Sequence, residues 1–413
     1  MYSKTAQALS KRTCFSPKRQ TLLIPLPSQP QQSNISFARQ PLKSLNFVLY
    51  IYPKKLRINR KYKWLLLPGL AGIIFALTLL LRQFPNLVET WYAQRLYPFI
   101  ASLLSTLSFI FPISLADIFY AALFLLPLIL LVLVFTKRIK WKAAGKFLLN
   151  VLATVYILFY VLWGFNYFRL PLPDRLGIND REPDTEEFVQ FIHQYISELN
   201  SLHCDFDSID KTETDRLIEE SYQQLAPVLQ FEYPMGKRPD KKITFSSFYA
   251  KSGITGYFGP FFNEVHVNKM ILPIEYPFVL AHEKAHQLGV TSEAEANFYA
   301  WLVCTHSSSQ QIRYSAKLFI SFHFFRQARG LEEYKQLVAE ISPEVQADIN
   351  RISEHWNKLR NATMDKTASK LNDAYLKHNN IKSGIKDYTG VVDHVMNFSL
   401  DSTFQQRNGF APR

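Results

Sequence analysis

Three apolar runs, each about as long as a bilayer core is thick, constrain this chain before any other feature does. Residues 64–81 would measure roughly 27 Å as a helix, close to the thickness of the hydrocarbon layer. This run follows Lys54, Lys55, Arg57, Arg60, Lys61 and Lys63. A second run, 116–135, carries Asp117 at one end and stops at a basic cluster that opens with Lys137 and Arg138. The third, 147–164, ends among Trp163, Phe165, Tyr167 and Phe168, the aromatic types that anchor helices at a membrane surface. Basic residues stay on the cytoplasmic side, so three spans predict that everything after about residue 170 lies outside the cytoplasm. Residues 97–115 are apolar but hold several Ser and Thr and meet the second run with no basic turn. They read as an interfacial or re-entrant helix, and a fourth span there would reverse the side.

The net charge of +13 would suggest a nucleic-acid surface if it were spread evenly. Instead thirteen Lys and Arg fall in the first 63 residues, with no Asp or Glu before Glu89. Residues 1–60 therefore read as a basic disordered arm, and no nucleic-acid partner is expected. Residues 61–168 form the membrane region, 169–183 a Pro-rich linker, 184–400 a folded domain and 401–413 a tail. Within the domain, 242–247, 253–258 and 264–268 look like short strands, and from residue 277 onward helical spacing dominates. Cys204 and Cys304 admit a disulfide if the domain is extracytoplasmic.

The chemistry lies in residues 281–297. His282 and His286, four apart on a helix, share one face and offer two imidazoles to one metal, with Glu283 beside them. Pro277 suits the start of that helix and Gly289 its left-handed end. A second helix opens at Ser292, whose spacing to Glu295 is that of a capping box. That assigns Glu295 to the helix start and leaves Glu293 as the third ligand, with Glu295 as the alternative. A catalytic zinc takes three protein ligands and leaves a position for water, so His282, His286 and Glu293 would hold one Zn2+. Glu283 would be the general base, and Asn297, one turn after Glu293, would orient a ligand. Lys284 is a charged residue at an unusual place and marks either a tuned site or a degenerate or exposed helix.

This stretch resembles the gluzincin metallopeptidases, in which H-E-x-x-H is completed by a glutamate in an E-x-x-x-D pattern. Here that pattern reads Glu293-Ala294-Glu295-Ala296-Asn297, with Asn in place of Asp, and the separation from His286 is unusually short. The whole layout is similar to an uncharacterised bacterial family with three N-terminal transmembrane helices and a zincin-like domain. The resemblance implies a mainly α, α+β zincin-like domain with a small sheet, behind a multi-pass helical membrane region. It further implies a membrane-anchored zinc metallopeptidase of the bacterial inner (plasma) membrane, acting on a peptide or protein. A strand near 256–268 would pair with the substrate, and Tyr257, His266, Tyr388 or His394 would stabilise the oxyanion. The alternative is a catalytically inactive zincin-like scaffold or peptide-binding protein of the membrane.

Overall fold

The computed structural model describes residues 60–410. All but the last residue of the expected basic arm lies outside them, as do the last three residues of the chain. Among the described residues three helices are long and apolar enough to cross a membrane: Tyr62–Leu81, Leu115–Phe135 and Trp141–Leu162. Their leucines, isoleucines and phenylalanines are largely exposed in the chain, as lipid-facing side chains must be. Pro127 lies inside the second helix, which a membrane span tolerates. The chain is thus a multi-pass membrane protein, largely α-helical, with a mixed α/β region after the spans.

The second and third spans are joined by residues 136–140 and form an antiparallel hairpin. The start of one and the end of the other therefore lie at the same end. There the second span is fastened to the soluble region by its first turn. The backbone N–H of Ala116 donates to Glu264 at 3.0 Å, Ser114 Oγ lies 2.8 Å from His266 Nε2, and the N–H of Thr244 donates to Asp117 at 2.7 Å. The segment between the first and second spans is helical through Pro85–Leu87, Val88–Leu96 and Tyr97–Phe109. One face, with Val88, Tyr92, Tyr97 and Ala101, is buried, and the face with Leu87, Trp91, Phe99, Leu103 and Leu107 is exposed. The fourfold spacing of the exposed residues is one stripe of a helix whose other face packs on Tyr160, Trp163, Phe165 and Phe168 at the end of the third span.

The sheet has three strands, β1 (Lys241–Lys242), β2 (Gly256–Gly259) and β3 (Glu264–Val267), in the order β1-β3-β2. β1 runs parallel to β3, while β2 is antiparallel, with Gly256 opposite Val267 and Gly259 opposite Glu264. Residues 264–267 alternate acidic or imidazole with valine side chains, and all four β3 residues are buried. Glu264 and His266 turn toward the second span rather than toward solvent. The first expected strand is also cut short: after Lys242 the chain bends, and Ser246–Lys251 is helical.

The motif helix, Tyr276–Gln287, is buried in the centre, with Leu280, Ala281 and Ala285 fully enclosed. Glu293–Thr305 packs against it, and Gln310–Ala328 lies beyond. Pro277 lies in the first turn, and Gly289, at φ +91°, reverses the chain in the left-handed region that only glycine enters freely. Lys284 points to the face opposite the histidines and is 1% exposed. Its ammonium meets Glu219, Asp215 at 2.9 Å and the carbonyl of Arg238 at 2.8 Å. Burial pushes that ammonium's pKa down, but the two carboxylates outweigh it and keep the charge. Lys284 is a buried anchor for the motif helix, not a mark of an exposed one. Cys204 and Cys304 are free, so no disulfide joins them. Residues read as the tail begin with a short helix, Ser402–Arg407, whose Phe404 is buried.

Arg169 joins the parts near the membrane. It pairs with Glu89 at 2.7 Å and donates to the carbonyl of Gly289 at 3.2 Å. Burial raises the Glu89 carboxyl, but the Arg169 hydrogen bond and charge outweigh it and hold the pKa below its ordinary 4.5. A carboxyl lowered by folding contributes stability that is complete above its ordinary pKa and is lost as pH falls through that range. The thermal midpoint of the detergent-solubilised protein should therefore fall on acidification below about pH 5, and less steeply in Glu89→Gln. Lys284→Ala leaves Asp215 without its buried partner and Glu219 with Arg238 alone, and should cost about 3 kcal/mol, read as a lower midpoint, with Lys284→Met plus Asp215→Asn recovering much of it.

Candidate metal centre

Two helices and the bend between them bring three ligand atoms together. His282 and His286 project from successive turns of the motif helix, and Glu293 opens the next helix, Glu293–Thr305. His282 Nε2 and His286 Nε2 are 3.1 Å apart, and Glu293 Oε2 lies 3.2 Å from the first and 3.4 Å from the second. Bonds of about 2.0–2.1 Å to a tetrahedral zinc place ligand atoms roughly 3.3 Å apart, so this triangle is the right size for one face of such a site.

The remaining ring nitrogens fix the tautomers. His282 Nδ1 donates to Asn297 Oδ1 at 2.8 Å, and His286 Nδ1 donates to the carbonyl of Val290, also at 2.8 Å. In the neutral rings both Nε2 atoms then carry lone pairs directed at the Glu293 carboxylate, free to bind a metal. Burial raises the Glu293 carboxyl, but the two histidines outweigh it and hold it well below the usual carboxylate range. Burial also works against a charged His286, yet Glu293 carries it up to about 9. Three largely enclosed ligand atoms that draw a positive charge to their centre, as a proton on His286 or as an ion, form a donor set that fits a divalent metal.

Glu283 forms part of the wall beside the triad, 6% exposed. Burial raises its pKa, an effect the two histidines partly offset. It packs against Gly256 at the head of β2: a Cβ there would lie 2.8 Å from Glu283 Oε1. The triad and Glu283 open into a cavity of about 700 Å³. The end of the third span makes one wall, where Trp163 Nε1 donates to the carbonyl of His286 at 2.9 Å.

Of the four expected donors, Tyr388 lines this cavity with its hydroxyl beside Glu293, and burial with the Glu293 charge keeps it protonated. Tyr257 reaches the cavity too, but its hydroxyl is committed to Asp117 and its ring stacks on His266 at 4.2 Å. His266 is fully buried against Ser114, and His394 lies against Phe298 in a separate charged pocket. Glu295 differs from its expected role. Ser292 Oγ caps the backbone N–H of Glu295, but the carboxylate is held by the buried guanidinium of Arg175. The helix end is closed instead by Asp387, which accepts from the N–H groups of Glu293 and Ala294 at 2.7 and 3.3 Å and from Ser292 Oγ. His323, Arg326 and Arg360 also line the cavity. Burial, Arg326 and His282 hold the His323 pKa down at about 4, so it is neutral.

No curated protein and no solved structure matches this chain. Residues 92–396, well over half of the chain, match the family described as Protein of unknown function (DUF3810), and the chain belongs to that family.

Proposed function

We propose that this protein is a membrane-anchored zinc metallopeptidase whose catalytic domain, about residues 184–400, faces the extracytoplasmic side of a bacterial inner membrane. The observation that carries the reading is the convergence of three ligand atoms at tetrahedral spacing beside a further acidic side chain, Glu283, in an open cavity. The basic clusters before the first span and between the second and third support the orientation.

His282, His286 and Glu293 would hold the ion. A bound zinc polarises a carbonyl and lowers the pKa of water toward neutrality. Glu283, its own pKa raised by burial, takes the proton from the attacking water and passes it to the leaving amine. The hydroxyl of Tyr388 donates to the oxygen that gains charge as the carbonyl carbon becomes tetrahedral. β2 is bonded to β3 on one side only, and its other edge offers backbone groups along which an extended peptide can pair. Asn297 and the carbonyl of Val290 keep both imidazoles in the tautomer that binds metal.

Glu283→Gln should lower peptide hydrolysis by about 10³-fold while bound zinc, measured by elemental analysis, is retained. Glu293→Ala or a chelator should remove zinc and activity together. Bound zinc with no hydrolysis by the unaltered protein above that of Glu283→Gln would leave a peptide-binding scaffold as the surviving reading. Gly256→Ala pushes on the Glu283 carboxylate and should lower kcat by about 10²-fold with zinc still bound.

A further inference from the structure

We propose that the substrate is itself anchored in the membrane and is cut in the extended segment next to its anchor, within a few residues of the bilayer surface. This rests on the metallopeptidase reading and adds to it the class of polypeptide that reaches the site.

The argument starts from where the spans end. The third span, Trp141–Leu162, is 22 residues long, or roughly 33 Å, just enough to cross the hydrocarbon layer. Its last residue therefore lies near the boundary of that layer. The next residue, Trp163, bonds to the carbonyl of a metal-site histidine. The centre is thus one indole side chain away from the end of a membrane helix.

The edge strand leads the same way. β2 begins at Gly256, against Glu283, and ends at Gly259, where an added Cβ would lie 2.8 Å from the Cβ of Ala116 in the first turn of the second span. Three steps of about 3.3 Å make this a path of roughly 10 Å from general base to span end. Beyond Gly259 the β2–β3 turn sets Phe261 against Phe119 of the second span, ring centres 4.7 Å apart, and 6.5 Å from Phe159 of the third. A peptide paired along β2 has one end at the metal centre and the other at the bilayer boundary beside the second span. A chain whose own anchor enters the lipid there meets the strand already extended and in place. The exposed stripe of Leu87, Trp91, Phe99, Leu103 and Leu107 supports the same placement, because it turns another apolar face of this region toward the lipid.

The test uses the full chain in proteoliposomes with two probes: a randomised peptide library fused to a polyleucine transmembrane helix, and the same library as free soluble peptides. The anchored library should be cut at least about tenfold faster, with sites clustered within roughly five residues of the helix, as mass spectrometry of the products would show. Inserting a ten-residue spacer should leave the cuts next to the helix, inside the spacer. Equal rates for the two libraries, or cuts spread along the anchored segment regardless of distance, overturn the proposal and leave the peptidase reading standing. If zinc is bound but neither library is cut faster than by Glu283→Gln, the peptidase reading fails and this inference fails with it.

Discussion

The indole N–H of Trp163, donated to the carbonyl of His286, is the contact on which the arrangement turns. Trp163 follows the last residue of a membrane helix, and His286 belongs to the metal triad, so the bond fixes the centre to the bilayer without a linker. It adds a second donor to a carbonyl in the last turn of the motif helix, which also accepts from the N–H of Gly289 at 3.0 Å. The neighbouring carbonyl, of Gln287, accepts from Tyr97 at 2.7 Å, and that of Gly289 accepts from Arg169. Three carbonyls around one helix end thus accept from side chains of segments that lead into or out of the membrane. A helix whose end is held from three directions cannot fray, and His286 lies in that last turn.

Charge organises the other side of the motif helix. Its two faces carry opposite demands: the triad needs a cation brought in, whereas Lys284 brings a cation to Glu219 and Asp215. Helical geometry separates the two requirements, because residue 284 points away from the face shared by 282 and 286. The unusual lysine therefore does not compete with a metal. Asn297 is equally at home. A carbonyl oxygen accepts the His282 Nδ1 hydrogen as a carboxylate would, with less charge added to a buried site.

What was legible in the sequence is what depends on short spacing. Two histidines four apart, a proline and a glycine at the helix ends, and a serine opening the next helix each act within one or two turns, so the motif helix and Glu293–Thr305 follow from the residues directly. The apolar runs likewise reveal their own length. What was not legible depends on partners far apart in the chain. Asp387 closes the helix at Glu293 from 94 residues away, and Arg175 claims Glu295 from 120. Nothing near Glu295 in sequence distinguishes a carboxylate that caps its own helix from one that neutralises a buried guanidinium. Tyr257 and His266 looked like free donors because Asp117 and Ser114, which occupy them, are more than a hundred residues earlier.

The same bonds bear on why the metal centre reads as catalytic and not structural. A structural zinc is closed by a fourth protein ligand, and among the described residues the cluster offers three. The fourth direction leads into a cavity of about 700 Å³ whose wall includes a carboxylate that binds no metal in this arrangement. That carboxylate is costly to keep: burial raises its pKa, and Gly256 must forgo a side chain to make room for it. A site built only to hold the fold together would gain stability from an apolar residue at 283 and an ordinary strand residue at 256. Retaining an acidic group and the space around it has a chemical rationale when water must be deprotonated there, and the strand that begins at that glycine is the one that runs to the membrane.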